Sequence, residues 1–187
     1  RRPPRSTLSS SSAASDVYKR QFLRKNAELI YSSDTTLTNT SIGSSENYKI
    51  VYVDNAHLTL SSNFTGHGVL YIEDNSLSDM EPVLQMLNNA AWYGLIIINQ
   101  PNGGTKTSKI LLQGSEASFG IEDFVIVAAE SLTIGNNLDI SSGGIGVAGS
   151  GGTLSIGTNA NITGDVRADN LRIGHNANIE GDLYYNT

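Results

Sequence analysis

The sequence predicts an all-β protein built as a β-solenoid, and three observations support that prediction. A nine-residue motif recurs three times between residues 131 and 187. Aliphatic residues within the motif stand two positions apart, as side chains on one side of a strand do. Charged residues make up only 16% of the chain, while glycine reaches 19 residues. That composition suits turn-rich β structure better than charged helices.

The motif reads L-x-I-G-x-N-[AL]-[ND]-I and begins at Leu132, Leu154 and Leu171. Three short strands would form one roughly triangular coil, and coils would stack at the spacing of paired strands, about 4.8 Å. Stacking would place equivalent residues on one another, with glycines supplying permissive dihedral angles at corners. The predicted structural ladder consists of Leu132, Ile134, Leu154, Ile156, Ile162, Leu171, Ile173 and Ile179, with Asn137, Asn159, Asn176, Gly157 and Gly174 at corners.

The spacing of the motif also predicts where the solenoid is interrupted and how it associates. The second and third copies are 17 residues apart, but the first two are 22 apart because a Gly-rich stretch intervenes at 141–152. We expect that stretch to leave the solenoid as a flexible loop. One coil cannot be stable alone, so such folds are stacks with capped or paired ends. No capping helix follows the last motif, which predicts pairing with another chain.

Residues 22–130 predict less regular turns that are continuous with residues 131–187 as one domain. Short alternating segments are separated by Gly, Asn and Asp, and 58–64 (LTLSSNF) is a degenerate copy of the later motif. One flanking helix is predicted near 78–91, with Ser78 or Asp79 as its cap, Pro82 in its first turn, and Met80, Val83, Leu84 and Leu87 on one face.

Residues 1–21 differ from the rest because they are basic and rich in Ser and Pro. The string resembles a translated sequencing adapter, and a disordered tail is the alternative. Five of the 12 basic residues and one of the 18 acidic residues lie there, which leaves 7 basic and 17 acidic residues and a net charge of −10. An acidic body repels phosphate backbones, so nucleic-acid binding is not expected.

No cofactor, metal site or catalytic group is predicted. Cysteine is absent, and no apolar run approaches the ~18–20 residues of a membrane span. His57, His67 and His175 lack the spacing and carboxylates of a metal site, so we interpret them as surface or turn residues. Asp165 and Asp182 fall one coil apart and could form a stacked carboxylate pair, although a role as turn formers is preferred.

A resemblance to known families adds an expected role. Segments 48–54 (YKIVYVD), 57–60 (HLTL), 66–72 (GHGVLYI) and 92–99 (WYGLIIIN) resemble domains of type IV pilus assembly accessory proteins. The later repeats resemble bactofilins, which are polymer-forming bacterial proteins with a right-handed β-helix, and this resemblance implies a right-handed coil here. The resemblance implies a non-enzymatic structural protein of the bacterial envelope or pilus system, which associates with itself or with other envelope proteins. A cell-surface, periplasmic or extracellular location follows, or a cytoplasmic one if the chain is bactofilin-like.

Two other functions remain open. A binding module for ice or glycans would use a flat solenoid face, although Thr133, Ser155 and Arg172 do not make a uniform row of small side chains. An enzyme would be a polysaccharide lyase or hydrolase, or a hexapeptide acyltransferase. Its only candidate groups are Asp165, Arg167, Asp169 and Arg172.

Overall fold

The computed structural model of the chain describes residues 19–75, 81–87, 89–100, 107–113, 116–118 and 124–186. Within these ranges it contains one helix, α1, at 19–26, and twenty strands. All pairs between named strands are parallel, and the strands wind into a β-solenoid. The predicted fold class is therefore confirmed, whereas the right-handed sense of the coil stays a prediction.

The first face of the solenoid is a seven-stranded sheet to which each coil contributes one strand. Its strands are β2 (Thr35–Thr38), β5 (Leu58–Ser61), β7 (Leu84–Leu87), β9 (Thr107–Gln113), β12 (Ser131–Ile134), β15 (Thr153–Ile156) and β18 (Asn170–Ile173). Side chains alternate along each strand: Leu58 and Leu60 of β5 are buried, and Thr59 between them faces outward.

The second and third faces share a thirteen-stranded sheet that bends around a corner. The second face contains β3 (Ser41–Ile42), the starts of β6 (Thr65–Glu73) and β8 (Ala91–Asn99), β10 (Glu116–Ser118), β13 (Asp139–Ser142), β16 (Asn161–Thr163) and β19 (Asn178–Glu180). The third face contains β1 (Leu29–Tyr31), β4 (Lys49–Asp54), the remainder of β6 and β8, β11 (Phe124–Ala128), β14 (Gly144–Val147), β17 (Val166–Arg167) and β20 (Leu183–Tyr184).

Two glycines allow β6 and β8 to turn this corner without a break. Gly68 and Gly94 stand in register and have φ angles of 136° and 141°. A Cβ added to Gly94 would lie only 2.0 Å from the carbonyl oxygen of Gly68. Glycine is required here both for its backbone conformation and for the close approach of the two strands.

The interior is a single hydrophobic core that runs through the stack. Its widest part contains a stacked pair of rings, Phe64 and Trp92, with centroids 6.4 Å apart and planes 4° from parallel. Gly66 makes room for that pair, since an added Cβ would lie 2.1 Å from the Trp92 ring. The same two sheets continue through residues 29–184, so the two predicted regions share one core.

Helix α1 lies along the outside of the stack, where two ion pairs attach it to neighbouring coils. Arg24 pairs with Asp54 of β4 at 2.7 Å, and Arg20 pairs with Glu73 of β6 at 2.8 Å. One helical turn, about 5.4 Å, nearly matches the spacing of stacked strands, about 4.8 Å. The two acceptors stand in register on adjacent strands, so the helix is attached to two successive coils. It also crosses the expected tail boundary at residue 21.

The helix predicted near 78–91 is wrong in position. Leu84–Leu87 forms β7 and Ala91–Asn99 forms β8, while Ser78, Asp79 and Met80 lie outside the described residues. Leu84 and Met86 alternate inward and stand in register with Leu58 and Leu60 of β5. Pairing with strands on both sides outweighs the local helical spacing. Among the described residues, the helix is α1 instead.

The Gly-rich stretch 141–152 does not leave the solenoid, so the predicted loop is also wrong. Residues 144–147 form β14, which lies between β11 and β17 in the third face. Ile145 and Val147 point into the core. The additional residues of this coil lie in a corner at 148–152, where Gly151 has a φ angle of 76°.

Candidate assembly surface

The inward ladder is built by parallel pairing of equivalent residues. Leu132, Leu154 and Leu171 stand in register on the first face, as do Ile134, Ile156 and Ile173. On the second face Ile140, Ile162 and Ile179 stand in register. Each coil therefore buries its aliphatic side chains against the same residue types above and below.

One corner of the stack is formed by asparagines in the left-handed backbone conformation. Asn137, Asn159 and Asn176 have φ angles of 60°, 57° and 57°. Each side-chain Nδ2 donates to the Oδ1 of the asparagine one coil earlier, at 3.1 Å for Asn159 and 3.3 Å for Asn176. Asparagine tolerates this conformation better than most residues. The amide ladder thus fixes both the corner and the register of the coils.

The predicted reason for the corner glycines is wrong, although the glycines are needed. Gly157 and Gly174 are absent from the residues with positive φ, so they do not supply a left-handed conformation. A Cβ added to Gly174 would lie 2.6 Å from the carbonyl carbon of Gly157, and one on Gly157 would lie 2.7 Å from that of Gly135. Close stacking of successive backbones is what excludes a side chain at these positions.

The coil formed by β18, β19 and β20, here called the open coil, exposes the end of this ladder. Its three strands lie at the ends of their sheets. Ile173 is 42% exposed, whereas Ile156 in the coil below is 4% exposed. Leu183 is 42% exposed, whereas its register partner Val166 is fully buried. The same interior positions are therefore core in one coil and surface in the next.

At the open coil, the corner asparagine also lacks a hydrogen-bond donor that the equivalent asparagine has one coil earlier. The Asn159 Oδ1 accepts from Asn176, and the Asp165 Oδ1 accepts the backbone N–H of Asp182 at 2.9 Å. The Asn176 Oδ1 accepts no hydrogen bond from any residue that the structure describes. An exposed strand edge with apolar interior side chains is a ready surface for further β pairing.

At the opposite end of the stack, carboxylates also bond to the backbone of the next coil, as Asp165 does beside the open coil. Glu28 accepts the N–H of Ile50 at 2.7 Å, and Asp34 accepts the N–H of His57 at 2.9 Å. These backbone hydrogen bonds are the main cause that lowers the pKa of both carboxyl groups. On the third face, β1 adds one strand beyond the first strands of the other two faces.

The other candidate residues are dispersed. His57 contacts Asp34, with 3.1 Å between Nδ1 and Oδ1, and His67 stacks on Tyr93 with ring centroids 4.9 Å apart. His175 lies in an exposed turn. Asp165 uses its carboxylate to hold the corner at Asp182, which fits the turn-former interpretation. No cluster of three or more His, Asp or Glu side chains suitable for a metal occurs among the described residues.

Several residues that form corners or hydrogen bonds between coils were not predicted from the sequence. Asn39, Asn63 and Asn89 have the same left-handed conformation as the later asparagines, and Asn63 donates to Asn39 at 3.2 Å. The signal for Asn63 and Asn89 was their position three residues after an apolar residue of the preceding strand, Leu60 and Met86, as Asn137 stands after Ile134. Asn39 lacks this spacing. Gln100 bridges two residues of the adjacent strand region, accepting from the Glu130 N–H and donating to the Ser131 carbonyl, both at 2.6 Å. No pattern in the neighbouring sequence indicates this bridging role of Gln100.

Comparison of this chain with protein-family models, curated proteins and solved structures finds no match. Within the part of the chain that the structure describes, no helix combines the length and apolar character that a membrane span requires. The function of the chain is therefore inferred from the geometry of the solenoid.

Proposed function

We propose that this chain is a non-enzymatic structural protein of the bacterial envelope or type IV pilus system, which self-associates through the open coil. The observation that carries the proposal is the exposure of ladder residues at that coil, where Ile173 and Leu183 face solvent. Each has a buried counterpart one coil earlier. A surface that repeats a buried interface is suited to receive another β layer.

The geometry of the two ends favours pairing of two open coils over head-to-tail stacking. In a head-to-tail stack, β2 of the next copy would follow β18 on the first face. The β1 strand of that copy would then occupy the level of β20 on the third face. This overlap opposes an open filament. Two open coils related by a two-fold axis avoid it and give an isologous interface.

Charges at the open coil are compatible with that symmetry. Arg172 lies on the first face and Glu180 on the second, and both are exposed. A two-fold axis exchanges positions on two copies, so one surface that carries both signs can be complementary to itself. Pairing would bring antiparallel edges together, and antiparallel pairs form ordinary ladders.

The test is the oligomeric state of the whole chain by sedimentation velocity across a range of concentrations. We expect a concentration-dependent dimer for the wild-type chain and a monomer for Ile173→Asp. Far-UV circular dichroism and thermal unfolding should show that the variant stays folded, because Ile173 is already exposed. A wild-type chain that is monomeric at all concentrations, or a folded Ile173→Asp dimer, would contradict self-association through this coil.

The matched control is Ile30→Asp, because Ile30 is 46% exposed and lies in β1 at the other end of the stack. It places the same charge on an equally exposed isoleucine and should leave the dimer intact. Loss of the dimer in Ile30→Asp alone would move the interface to the β1 end. Open-ended filaments in wild type would replace the two-fold arrangement by head-to-tail stacking.

The proposed location is the cell surface, periplasm or extracellular space, with the cytoplasm as the bactofilin-like alternative. An antibody against the chain can follow it through fractionation of the source bacterium. Recovery with the envelope or with sheared surface filaments would support the envelope role. Recovery only in the cytoplasmic fraction would replace it by the alternative.

A further inference from the structure

A cleft of about 610 Å³ lies on the outside of the third face, beside β14, β17 and β20. Its floor follows a register column in which Val127, Gly146, Arg167 and Tyr184 are successive neighbours. Gly146 has no side chain, and its neighbours Ile145 and Val147 point inward to the core. A recess is therefore left between the side chains of Val127 and Arg167. Its volume falls within the range of small-molecule sites, about 300–1,000 Å³.

Two aromatic rings form one wall of this cleft. Tyr184 and Tyr185 are 49% and 53% exposed, so both rings are available to a ligand. The face of an aromatic ring carries partial negative charge and attracts the positive edges of C–H bonds. A ligand that presents a flat array of C–H groups would pack on such a wall.

The polar lining of the cleft is held in place by hydrogen bonds. The Asp169 carboxylate accepts the Gly151 N–H at 2.6 Å and the Asn186 side-chain amide at 2.9 Å. The Asn186 carbonyl oxygen remains an additional acceptor. No carboxylate among the described residues lies within 4.0 Å of the Arg167 guanidinium, so its donors can serve a ligand.

The charges of the lining select for a neutral ligand. Arg167 contributes one positive charge and Asp169 one negative charge, and both line the cleft. Just outside it, Asp182 and then Asp165 raise the pKa of Tyr184. These carboxylates would repel an anion, whereas a neutral ligand with hydroxyl groups could both accept from Arg167 and donate to Asp169.

We propose that this cleft binds a neutral saccharide segment, which stacks on Tyr184 and hydrogen-bonds to Arg167 and Asp169. Sugar rings combine a C–H face with hydroxyl groups around the rim, and this matches an aromatic wall beside donors and acceptors. The site lies on the outer face of the solenoid, and the proposal does not depend on self-association. A glycan-binding cleft would attach a structural protein to a polysaccharide surface.

The proposal can be tested by isothermal titration calorimetry with cellohexaose, xylohexaose, mannohexaose and chitohexaose, and with oligogalacturonate as the anionic comparison. We expect at least one neutral oligosaccharide to bind, and to bind more tightly than oligogalacturonate. Tyr184→Ala should weaken that binding about tenfold through loss of the ring contact. Gly146→Thr should abolish binding by filling the floor, since a β-branched residue suits a strand.

The matched control is Tyr48→Ala, because Tyr48 is 50% exposed and lies outside the cleft. It should bind the saccharide as the wild-type chain does. Circular dichroism and sedimentation run on every variant separate a binding defect from a folding or assembly defect. The proposal is overturned if no neutral oligosaccharide binds, if oligogalacturonate binds more tightly, or if folded Tyr184→Ala and Tyr48→Ala bind equally.

Discussion

Residues 29–128 and residues 131–186 build the same three faces with different amounts of regularity. The earlier half has long strands such as β6 and β8, a core with stacked aromatic rings, and a helix on its flank. The later half has short strands, aliphatic ladders and asparagine corners at spacings of 22 and 17 residues. Its open coil exposes Ile173 and Leu183, whose equivalents one coil earlier are buried.

The comparison shows that the half with the regular sequence repeat is not the half whose end is covered by other residues. The earlier half is covered on one side by α1 and ends in carboxylates bonded to backbone donors. The later half repeats its motif up to an edge that no described residue covers. The exposed strand edges of the open coil can pair with the same edges of a second copy, so the regular half is where we expect association.

The largest expected effect comes from placing one charge at the same ladder position in two coils. Ile156→Asp buries an unpaired carboxylate in the core and should cost at least ~3–5 kcal/mol, a large part of a typical domain's stability. Ile173→Asp should cost less than about 1 kcal/mol, as surface substitutions do, when both proteins are compared at a concentration at which the wild-type chain is monomeric. Urea unfolding followed by circular dichroism measures both. Equal losses of stability would mean that the open coil is as buried as its neighbour.

A second contrast concerns glycines with positive φ in the two halves. Gly94→Ala combines left-handed strain of about 1–2 kcal/mol with a Cβ 2.0 Å from the Gly68 carbonyl oxygen. The total loss should exceed about 3 kcal/mol. Gly151→Ala is the matched control, because its φ is 76° and no atom lies within 4 Å of an added Cβ. It should cost only about 1–2 kcal/mol. The same measurement would contradict this account if Gly151→Ala proved the more damaging.

The sequence predicted the fold of the later half better than that of the earlier half. Residues 131–187 showed their fold because each ladder position repeats its residue type. In contrast, Val83, Leu84 and Leu87 have a local spacing that fits a helix. Pairing with β5 and β9 instead forms a strand, in which Leu84 and Met86 point inward. The Gly-rich segment 144–147 is a strand for the same reason, since its partners lie in other coils.

The candidate sites were predictable to different degrees. The ladder residues follow from the motif, but Ile156 and Ile173 occupy identical motif positions. Sequence cannot distinguish which of them is exposed, because burial depends on the layer above. The outer cleft brings together Gly146, Arg167 and Tyr184 from three coils. No local motif contains them, so their proximity appears only once the register is known.

The asparagine corner allows a direct comparison of the halves. Asn159→Ala and Asn63→Ala each place alanine at a position with positive φ. The first removes two amide hydrogen bonds, and the second removes one. Each should cost about 1–2 kcal/mol in urea unfolding. Asn→Gly at either site should recover about 1 kcal/mol by relieving the backbone strain. If only Asn159 responded, the corner would be structural in the regular half alone.

The smallest expected effect appears only at alkaline pH and belongs to the earlier half. Burial raises the pKa of Tyr52 above its ordinary value, and its hydrogen bond to Glu73 adds to that shift. The folded state therefore favours the protonated phenol. Its contribution is fully present below the unfolded pKa, about 10, and is lost as the pH rises through the higher folded value.

Urea midpoints at about pH 8 and about pH 11 should therefore differ more in wild type than in Tyr52→Phe, which has no proton to lose. Tyr184→Phe is the control from the regular half. Its pKa is also raised, by Asp182 first, but the ring is 49% exposed. Solvent screens such an exposed interaction, so this variant should keep the wild-type pH dependence. A pH dependence that disappears in Tyr184→Phe and persists in Tyr52→Phe would place the alkaline sensitivity in the open coil instead.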